Sequence, residues 1–514
     1  MEDFFRRAGE EAIRWIDSLL RVVSGGKLDS LFAHTLSPTD DSDGSAGCLS
    51  LDTSLLTFPG GDHWRIRDAC EGTQVFGMTG SGKTSGSGQA IATSFLTAGF
   101  GGLVLTAKTD EREMWEEWCE ATGRTDDLRI LAPGTGLTFN FLDYEVRRPG
   151  AGAGLTHNLV HLFETVSEVG ARQGSSGGED TGYWKKALSQ LLRNTIDLVV
   201  LATGGLSLDL MYNVVLEAPK APSMARDPNW QKSSRCMQTI VQAKSRELDP
   251  DRTSDLDMTC RYWLREFPGL AEKTRSIIVN MFTGMAESFL RSPFRELFCK
   301  KTTIIPEHTF RGNIIVLDLP VKEYDALGKY AQVLFKYIWQ RAVERRDVAK
   351  HPRPVFLWAD EAQFFVSSTD TKFQSTARSK RACTVYLTQN LPSYLDELGG
   401  DGSRQAVLSL LGNLGTKIFH ANSDTETNAY AADIIGRSLQ QRMSGNLGMG
   451  IGGIPNQSAG FGEVVDYDIQ PQAFTMLRKG GPDNDLSVDG IVYQGGRVWN
   501  STGKTYLPVV FKQG

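Results

Sequence analysis

The chain has 514 residues, 40% of them hydrophobic, enough for two or three domains with cores of their own. Lys and Arg total 55 against 61 Asp and Glu, a formal charge of −6, so no global positive field marks the surface for nucleic acid and a polyanion would need a local basic track. Seven scattered cysteines without Cys-x-x-Cys spacing argue against a disulfide framework or a zinc ribbon and point to free thiols in a reducing cytoplasm.

Residues 1–23 set Phe4, Ala8, Ala12, Trp15, Ile16, Leu19 and Val23 on one stripe of an amphipathic helix. Its polar face mixes Arg6, Arg7, Arg14 and Arg21 with Glu10, Glu11 and Asp17, which offers anionic lipid little, so the helix is expected to dock on this protein or a partner. No signal peptide or run of roughly 18 apolar residues is present. A soluble, cytoplasmic chain without an integral membrane segment is expected, peripheral at the inner membrane only through partners. "SPTDDSDGSAG" at 37–47 reads as a polar linker.

"QVFGMTGSGKTSGSGQAIATSF" at 74–95 then reads as a strand end, a glycine-rich turn and a helix start, and its centre fits Gly-x-x-x-x-Gly-Lys-Thr. Gly77, Gly80 and Gly82 let successive N–H groups converge on phosphate oxygens at a helix N-terminus. Lys83 would reach the β- and γ-phosphates and Thr84 would sit on Mg²⁺, which makes Thr79, Gly80, Ser81, Gly82, Lys83, Thr84 and Ser85 the expected ATP-binding loop. Gly86 and Gly88 weaken the first turn of the helix that follows. "STGKTY" at 501–506 has Val498 where the first glycine belongs and a strand-like "TYLPVVF" after it, and reads as a β-turn.

"GGLVLTAK" at 101–108 is a buried-strand pattern, "DEREMWEEWCEATG" a charged amphipathic helix, and "RILA" at 129–132 a further strand. Alternating strands and helices predict a parallel sheet with its ligand at the strands' C-terminal ends. His157 and His161 stand four apart, but Asn158 replaces the glutamate of the zinc-protease signature, so they read as ordinary helix histidines. The stretch 151–297 carries long helical patterns and looks like an all-α insertion. Strands resume at "GNIIVLDLP" (312–320), followed by the helix "DALGKYAQVLFKYIWQRAVERR".

"PVFLWADEAQFF" sets four apolar residues directly before Asp360 and Glu361. A buried strand ending in two carboxylates suits Mg-nucleotide hydrolysis: Asp360 can hold a metal-bound water, and Glu361 can polarise the water that attacks the γ-phosphate. "STARSKRACTVYLTQN" then places a helix with Arg378 and Arg381 before a strand ending in Thr388-Gln389. Gln389 is placed to sense the γ-phosphate. The arginines either supply charge to a site, in the same subunit or across an interface, or form a solvated basic helix end. The glycine-rich stretch 444–462 reads as a mobile loop, and a β pattern from "SVDGIVY" to "TYLPVVF" closes the chain.

The order of "GMTGSGKT", "GGLVLTAK", "FNFLD", "YWKKA", "FLWADEA", "ARSKR", "LTQN" and "LLGNLGTKIFHANSDTETNAYAADIIG" resembles the type IV coupling proteins over roughly residues 70–510. These ring ATPases deliver DNA and protein to conjugation and type IV secretion channels and are related to the HerA and FtsK translocases. The resemblance implies an α/β fold, a RecA-like P-loop NTPase core with a mainly parallel sheet interrupted by an all-α domain, hexamer assembly, and a central pore for DNA, single- or double-stranded. It marks Lys83, Thr84, Asp360, Glu361 and Gln389, and Arg378 as the trans-acting arginine about eleven residues before the glutamine. The implied division is 1–55 amphipathic helix and linker, 56–150 first part of the nucleotide-binding domain, 151–297 all-α insertion, and 298–514 second part with a C-terminal β segment.

Two departures qualify this. The family usually carries N-terminal membrane helices, whereas residues 1–23 read as a docking helix. Where many members have Asp-Pro-Lys-Gly, this chain has Thr106-Ala107-Lys108-Thr109. The expected activity is ATP hydrolysis with Mg²⁺ driving DNA translocation, alongside a relaxase, nuclease or secretion-channel partner. A duplex translocase of a defence or processing system and a nucleotide-gated scaffold for protein substrates are the alternatives. DNA contacts are expected from 229–246 or from Arg341, Arg345, Arg346, Lys350 and Arg353, each of which could instead be a solvated helix face.

Overall fold

Short apolar runs bounded by glycine, proline or polar residues become strands. The computed structural model describes residues 50–171, 181–399, 402–449 and 455–513; the expected docking helix and linker lie outside them. In chain order the hairpin β1 (Ser54–Phe58) and β2 (Asp62–Arg65) is followed by β3 (Thr73–Phe76), α1 (Gln89–Thr97), β4 (Gly101–Leu105), α2 (Glu111–Ala121) and β5 (Leu128–Leu131). Helices α3 (Phe141–Arg147), α4 (Thr156–Ala171), α5 (Thr181–Thr203), α6 (Leu208–Leu216), α7 (Pro228–Ser233), α8 (Arg235–Lys244), α9 (Pro250–Arg261), α10 (Glu272–Leu290) and α11 (Phe294–Phe298) come next. Then follow β6 (Ile314–Leu317), α12 (Val321–Arg345), β7 (Val355–Ala359), α13 (Ser368–Ala377), β8 (Ala382–Thr388), α14 (Leu391–Leu398) and α15 (Ser403–Gly412). The last elements are β9 (Thr416–Phe419), α16 (Thr425–Ile435), β10 (Arg437–Met449), β11 (Pro455–Tyr467), β12 (Ser487–Gln494) and β13 (Tyr506–Lys512).

The chain forms two compact units. The first comprises residues up to 98, 383–396 and from 411 on, with strands in the order β13-β12-β9-β3-β8. β9, β3 and β8 are parallel, with Val75 opposite Leu387 on one side and Ile418 on the other, while β12 and β13 add an antiparallel edge. Strands covered on both faces read as unbroken apolar runs, and Val75, Phe76, Leu387, Ile418 and Phe419 are all buried. The Phe76 and Phe419 rings stack at 5.6 Å, and Trp64 stacks on Phe95 of α1 at 6.0 Å while its Nε1 donates to Thr416 Oγ1 at 3.2 Å.

The second unit comprises 99–382 and 397–410 and carries the parallel strands β7-β4-β6-β5. On α2 the inward positions Trp115 and Trp118 pack on Trp358, while Glu113, Glu117 and Glu120 face solvent. Every described element from α3 to α11 is helical. The starts of several are set by side-chain caps, Ser207, Asp227, Ser234 and Asp249 each accepting a main-chain N–H of the first turn. No single helix among the described residues is long and apolar enough to cross a membrane.

The glycine-rich stretch after Gly436, expected as a mobile loop, is instead a hairpin over its described residues: β10 and β11 pair antiparallel from Arg437 with Tyr467 to Met449 with Pro455. Main-chain hydrogen bonds across the ladder do not depend on side chains, so a long continuous register outweighs the weak strand preference of glycine.

Candidate nucleotide site

In the first unit the phosphate-loop candidate leaves the sheet under main-chain control. Gly77 N donates to Thr388 O at 3.2 Å and Met78 N to Ala421 O at 2.9 Å, so the loop starts pinned to the ends of β8 and β9. Gly80 and Gly82 have φ of +72° and +81°, a region L residues rarely adopt. At Gly82 space is short as well, because a Cβ would stand 2.5 Å from Val488 Cγ2. Ser81 is fully buried and its Oγ has no hydrogen-bond partner. An orphaned hydroxyl beside two left-handed glycines suits phosphate oxygens, which would satisfy it.

Thr79 and Ser85 are exposed, Thr84 is half-buried and Lys83 buried. Thr84–Gly88 forms one wide π turn, in which Gly88 N donates to Lys83 O at 2.8 Å before α1 begins, so the expected weakness of this helix start takes a definite shape. Gln389 follows the end of β8, one residue beyond the carbonyl that holds Gly77, and its own carbonyl accepts from Asn422 Nδ2 at 2.8 Å.

Beneath this turn lies a residue that the sequence reading passed over. His420 is fully buried; its Nδ1 lies 2.8 Å from Asp489 O and its Nε2 2.6 Å from Ser87 Oγ. A carbonyl only accepts, so Nδ1 carries the proton and Nε2 accepts from Ser87. Burial first, with the charge of Lys83 acting the same way, pushes His420 down to about 4, so the imidazole is neutral at physiological pH. It ties the first turn after the loop to β12. The Asp489 carboxylate is in turn clasped by Arg478 at 2.7 to 3.0 Å.

The acidic pair belongs to the second unit. Val355–Ala359 are all buried, and the strand delivers Asp360 and Glu361, themselves almost fully buried, at its C-terminal end. Glu361 has left-handed backbone, φ 49° and ψ 49°; its N–H donates to Asp360 Oδ1 at 2.9 Å, and its Oε2 accepts from Gln363 Nε2 at 3.0 Å. Lys108, from the loop after β4, lies between them, with Nζ 3.4 Å from Asp360 Oδ2 and 3.3 Å from Glu361 Oε1. Burial alone would lower the Lys108 ammonium, but Asp360, Glu361 and Glu111 outweigh it and hold its pKa above the ordinary lysine value.

Glu111 is the second residue missed. It lies in the segment read only as a charged amphipathic helix, yet it is fully buried and accepts Ala107 N–H and Lys108 N–H at 3.2 Å each. Burial, then the charge of Asp360, pushes its carboxyl well above the usual range. Gln332 of α12 braces the same loop, accepting Thr106 N–H at 2.7 Å and donating to Thr106 O at 2.9 Å.

The arginines divide. Helix α13 stops at Ala377, short of both Arg378 and Arg381, which the sequence pattern placed on it, and Arg378 is exposed on the following 3₁₀ turn. Arg381 takes φ 50° and donates to Pro352 O at 3.0 Å, so it is held by its own unit's main chain rather than standing as a solvated helix end. Arg346 and Arg353 were candidates for a DNA track, but Arg346 is buried with its guanidinium on Arg353 O and Lys380 O and over the Phe310 ring, and Arg353 reaches Gly99 O. Arg341 and Lys350 pair with Glu344 and Asp347. On α7 and α8, Lys232, Arg235 and Lys244 are exposed. His161 pairs with Glu164, as an ordinary helix histidine can.

Among the described residues no three His, Cys, Asp or Glu side chains could hold a metal unaided. Magnesium asks for less, since it keeps waters and phosphate oxygens and takes one or two protein ligands. A cation already stands against Asp360 in the form of the Lys108 ammonium, so the donor set at the end of β7 fits a hard cation.

No family model matches the chain, and no curated protein does. Solved structures do. The bacterial conjugative coupling protein TrwBdeltaN70 in its unbound monoclinic form is similar with a TM-score of 0.54 and 13% identity, covering 91% of this chain and 90% of that one. The plasmid coupling protein TrwB in complex with the non-hydrolysable GTP analogue GDPNP gives 0.54 and 12%, covering 91% and 90%. TrwB in complex with ADP and Mg²⁺ gives 0.51 and 14%, covering 91% and 89%. At this identity the likeness speaks for architecture alone: the chain has the fold of the conjugative coupling protein TrwB.

Proposed function

We propose that the chain is an ATP hydrolase of the coupling-protein kind, which assembles into a ring and moves DNA. The observation that carries this reading is the phosphate-loop geometry, in which left-handed Gly80 and Gly82 flank the buried, unpartnered Ser81 hydroxyl just before Lys83. The main-chain N–H groups of Thr79 to Ser85 bind the phosphates, and Lys83 neutralises the β- and γ-oxygens. Thr84 and Asp360 would hold Mg²⁺, which supplies positive charge to the phosphates when bound. The Glu361 carboxylate orients the attacking water and accepts its proton at Oε, Gln389 senses the γ-phosphate, and Arg378, exposed, reaches the site of a neighbouring subunit.

With Arg346 and Arg353 engaged internally, Lys232, Arg235 and Lys244 are the stronger candidates for DNA contact, repeated around a pore so that assembly concentrates them. The test is ATP turnover with no DNA, single-stranded DNA and duplex DNA, in a preparation shown to be oligomeric. Lys83→Ala should lose nucleotide affinity, while Glu361→Gln should retain ATP and stop turnover. A rate indifferent to both DNA forms would leave the nucleotide-gated scaffold as the better account.

A further inference from the structure

Lys108 has a fixed root and a free arm. Glu111 holds the main-chain N–H groups of Ala107 and Lys108, and Gln332 holds Thr106 from the other side, so the backbone is braced from two directions. The side chain is different: it is 28% exposed and carries its ammonium on four methylenes to the middle of two carboxylates. Its distances to Asp360 and Glu361, 3.4 and 3.3 Å, exceed the roughly 2.7 to 2.9 Å of a seated charge-assisted hydrogen bond, so the ammonium bridges the pair without committing to either. Asp360 and Glu361 are nearly fully buried side by side, and a cation between two adjacent buried carboxylates offsets their mutual repulsion.

A hard divalent cation on Asp360 would stand beside the same two carboxylates, and its charge would repel the ammonium from them. We propose that Lys108 is the resident counterion of the Asp360–Glu361 pair and that it is exchanged for the divalent cation, the ammonium swinging outward as the metal arrives. This rests on the reading of Asp360 as a metal ligand. The exchange keeps the acidic pair neutralised in both states, so the metal-free protein holds its catalytic carboxylates in place, and metal binds against a built-in competitor.

The test is Mn²⁺ binding to the nucleotide-free full chain, read from the free-ion signal in electron paramagnetic resonance, together with melting temperatures with and without Mn²⁺. If the ammonium occupies the pair in about nine molecules of ten, Lys108→Met should bind Mn²⁺ about tenfold more tightly than the parent. Its melting temperature should fall in the absence of metal and match the parent's at saturating Mn²⁺. Unchanged or weaker Mn²⁺ binding, or an equal loss of melting temperature with and without metal, overturns the exchange. Should Lys108→Met not fold without metal, Lys108→Gln, whose neutral amide can still donate to the pair, is compared with the parent in the same way. Asp360→Asn separates the two layers: if it binds Mn²⁺ as tightly as the parent, the metal-ligand reading itself fails, whereas loss of binding with no effect of Lys108→Met overturns only the counterion.

Discussion

Asp370 is the residue whose loss should do most damage away from the nucleotide. It is fully buried at the third position of α13, where it closes a capping box: Ser367 N–H donates to it at 2.7 Å and Ser367 Oγ at 3.1 Å. Gln340 Nε2 donates at 2.7 Å and Lys336, buried on α12, pairs with it while also donating to Phe365 O at 2.6 Å. Burial alone would raise the Asp370 carboxyl, but Lys336 and these donors hold it below the ordinary range. Asp370→Ala leaves the buried Lys336 ammonium on Phe365 O without its counter-charge, and takes from the Gln340 amide and the Ser367 N–H the acceptor they share. Breaking a buried pair from one side costs about 3 to 5 kcal/mol. The cost falls on the segment between Glu361 and Arg378, and the amides of α13 should exchange with solvent two to three and a half decades faster, at about 1.4 kcal/mol per decade. Hydrogen-exchange mass spectrometry on peptides covering 368–377, with α1 as internal control, measures this. The double variant Lys336→Met with Asp370→Leu, which removes both charges, should recover most of the protection. Exchange within threefold of the parent in Asp370→Ala, or a double variant as open as the single one, would refute the reasoning. Because the carboxyl's pKa is lowered on folding, its contribution is present above the unfolded value, about 3.9, and is lost as pH falls through the lowered folded value.

Other outcomes are as specific. Lys417 lies on β9 with its ammonium donating to Leu414 O, and burial brings it down to about 8, so the unfolded chain binds more protons between pH 8 and 10.5 and stability rises across that window by about 3 kcal/mol. Lys417→Met should therefore melt higher than the parent at pH 7 and lose the advantage by pH 10.5; a constant difference would contradict the burial cost. Gly82→Ala combines a left-handed φ with a clash against Val488, and should abolish binding of a fluorescent ATP analogue while leaving the α13 amides as protected as in the parent. With the proposed role of Arg378 as an arginine finger, worth roughly 10³ to 10⁵ in rate, Arg378→Ala should be inactive alone and regain activity when mixed with Glu361→Gln protein; no recovery in rings shown to be mixed would mean that Arg378 acts in its own subunit or only structurally.

What the sequence disclosed follows from locality. The strands at 73–76, 101–105 and 355–359 are unbroken apolar runs, and both the glycine loop and the Asp360–Glu361 pair are defined by residues a few places apart. What escaped depends on partners far along the chain. His420 meets Ser87 across 333 positions, and nothing near "FHAN" announces that meeting. Glu111 looks like any acid in a first helical turn until the strand ending at Ala359 brings Asp360 beside it. Arg346 and Arg353 form a basic cluster on paper because charge is visible in a sequence and the carbonyls that occupy them are not. The hairpin after Gly436 was misread for the opposite reason: its glycines suggest a loop, while the ladder that organises it resides in the main chain.

The backbone at Glu361 sets two selective pressures against each other. A residue with a Cβ pays about 1 to 2 kcal/mol to stand at φ 49° and ψ 49°, and glycine or asparagine stands there more cheaply. On the proposed role of Glu361, a population of variants screened for heat tolerance alone should drift toward Gly or Asn at position 361 and lose turnover, while a screen for turnover should return glutamate. The frequency of glutamate at that one position would then measure how strongly the proposed hydrolysis, rather than mere persistence of the fold, is demanded of the chain.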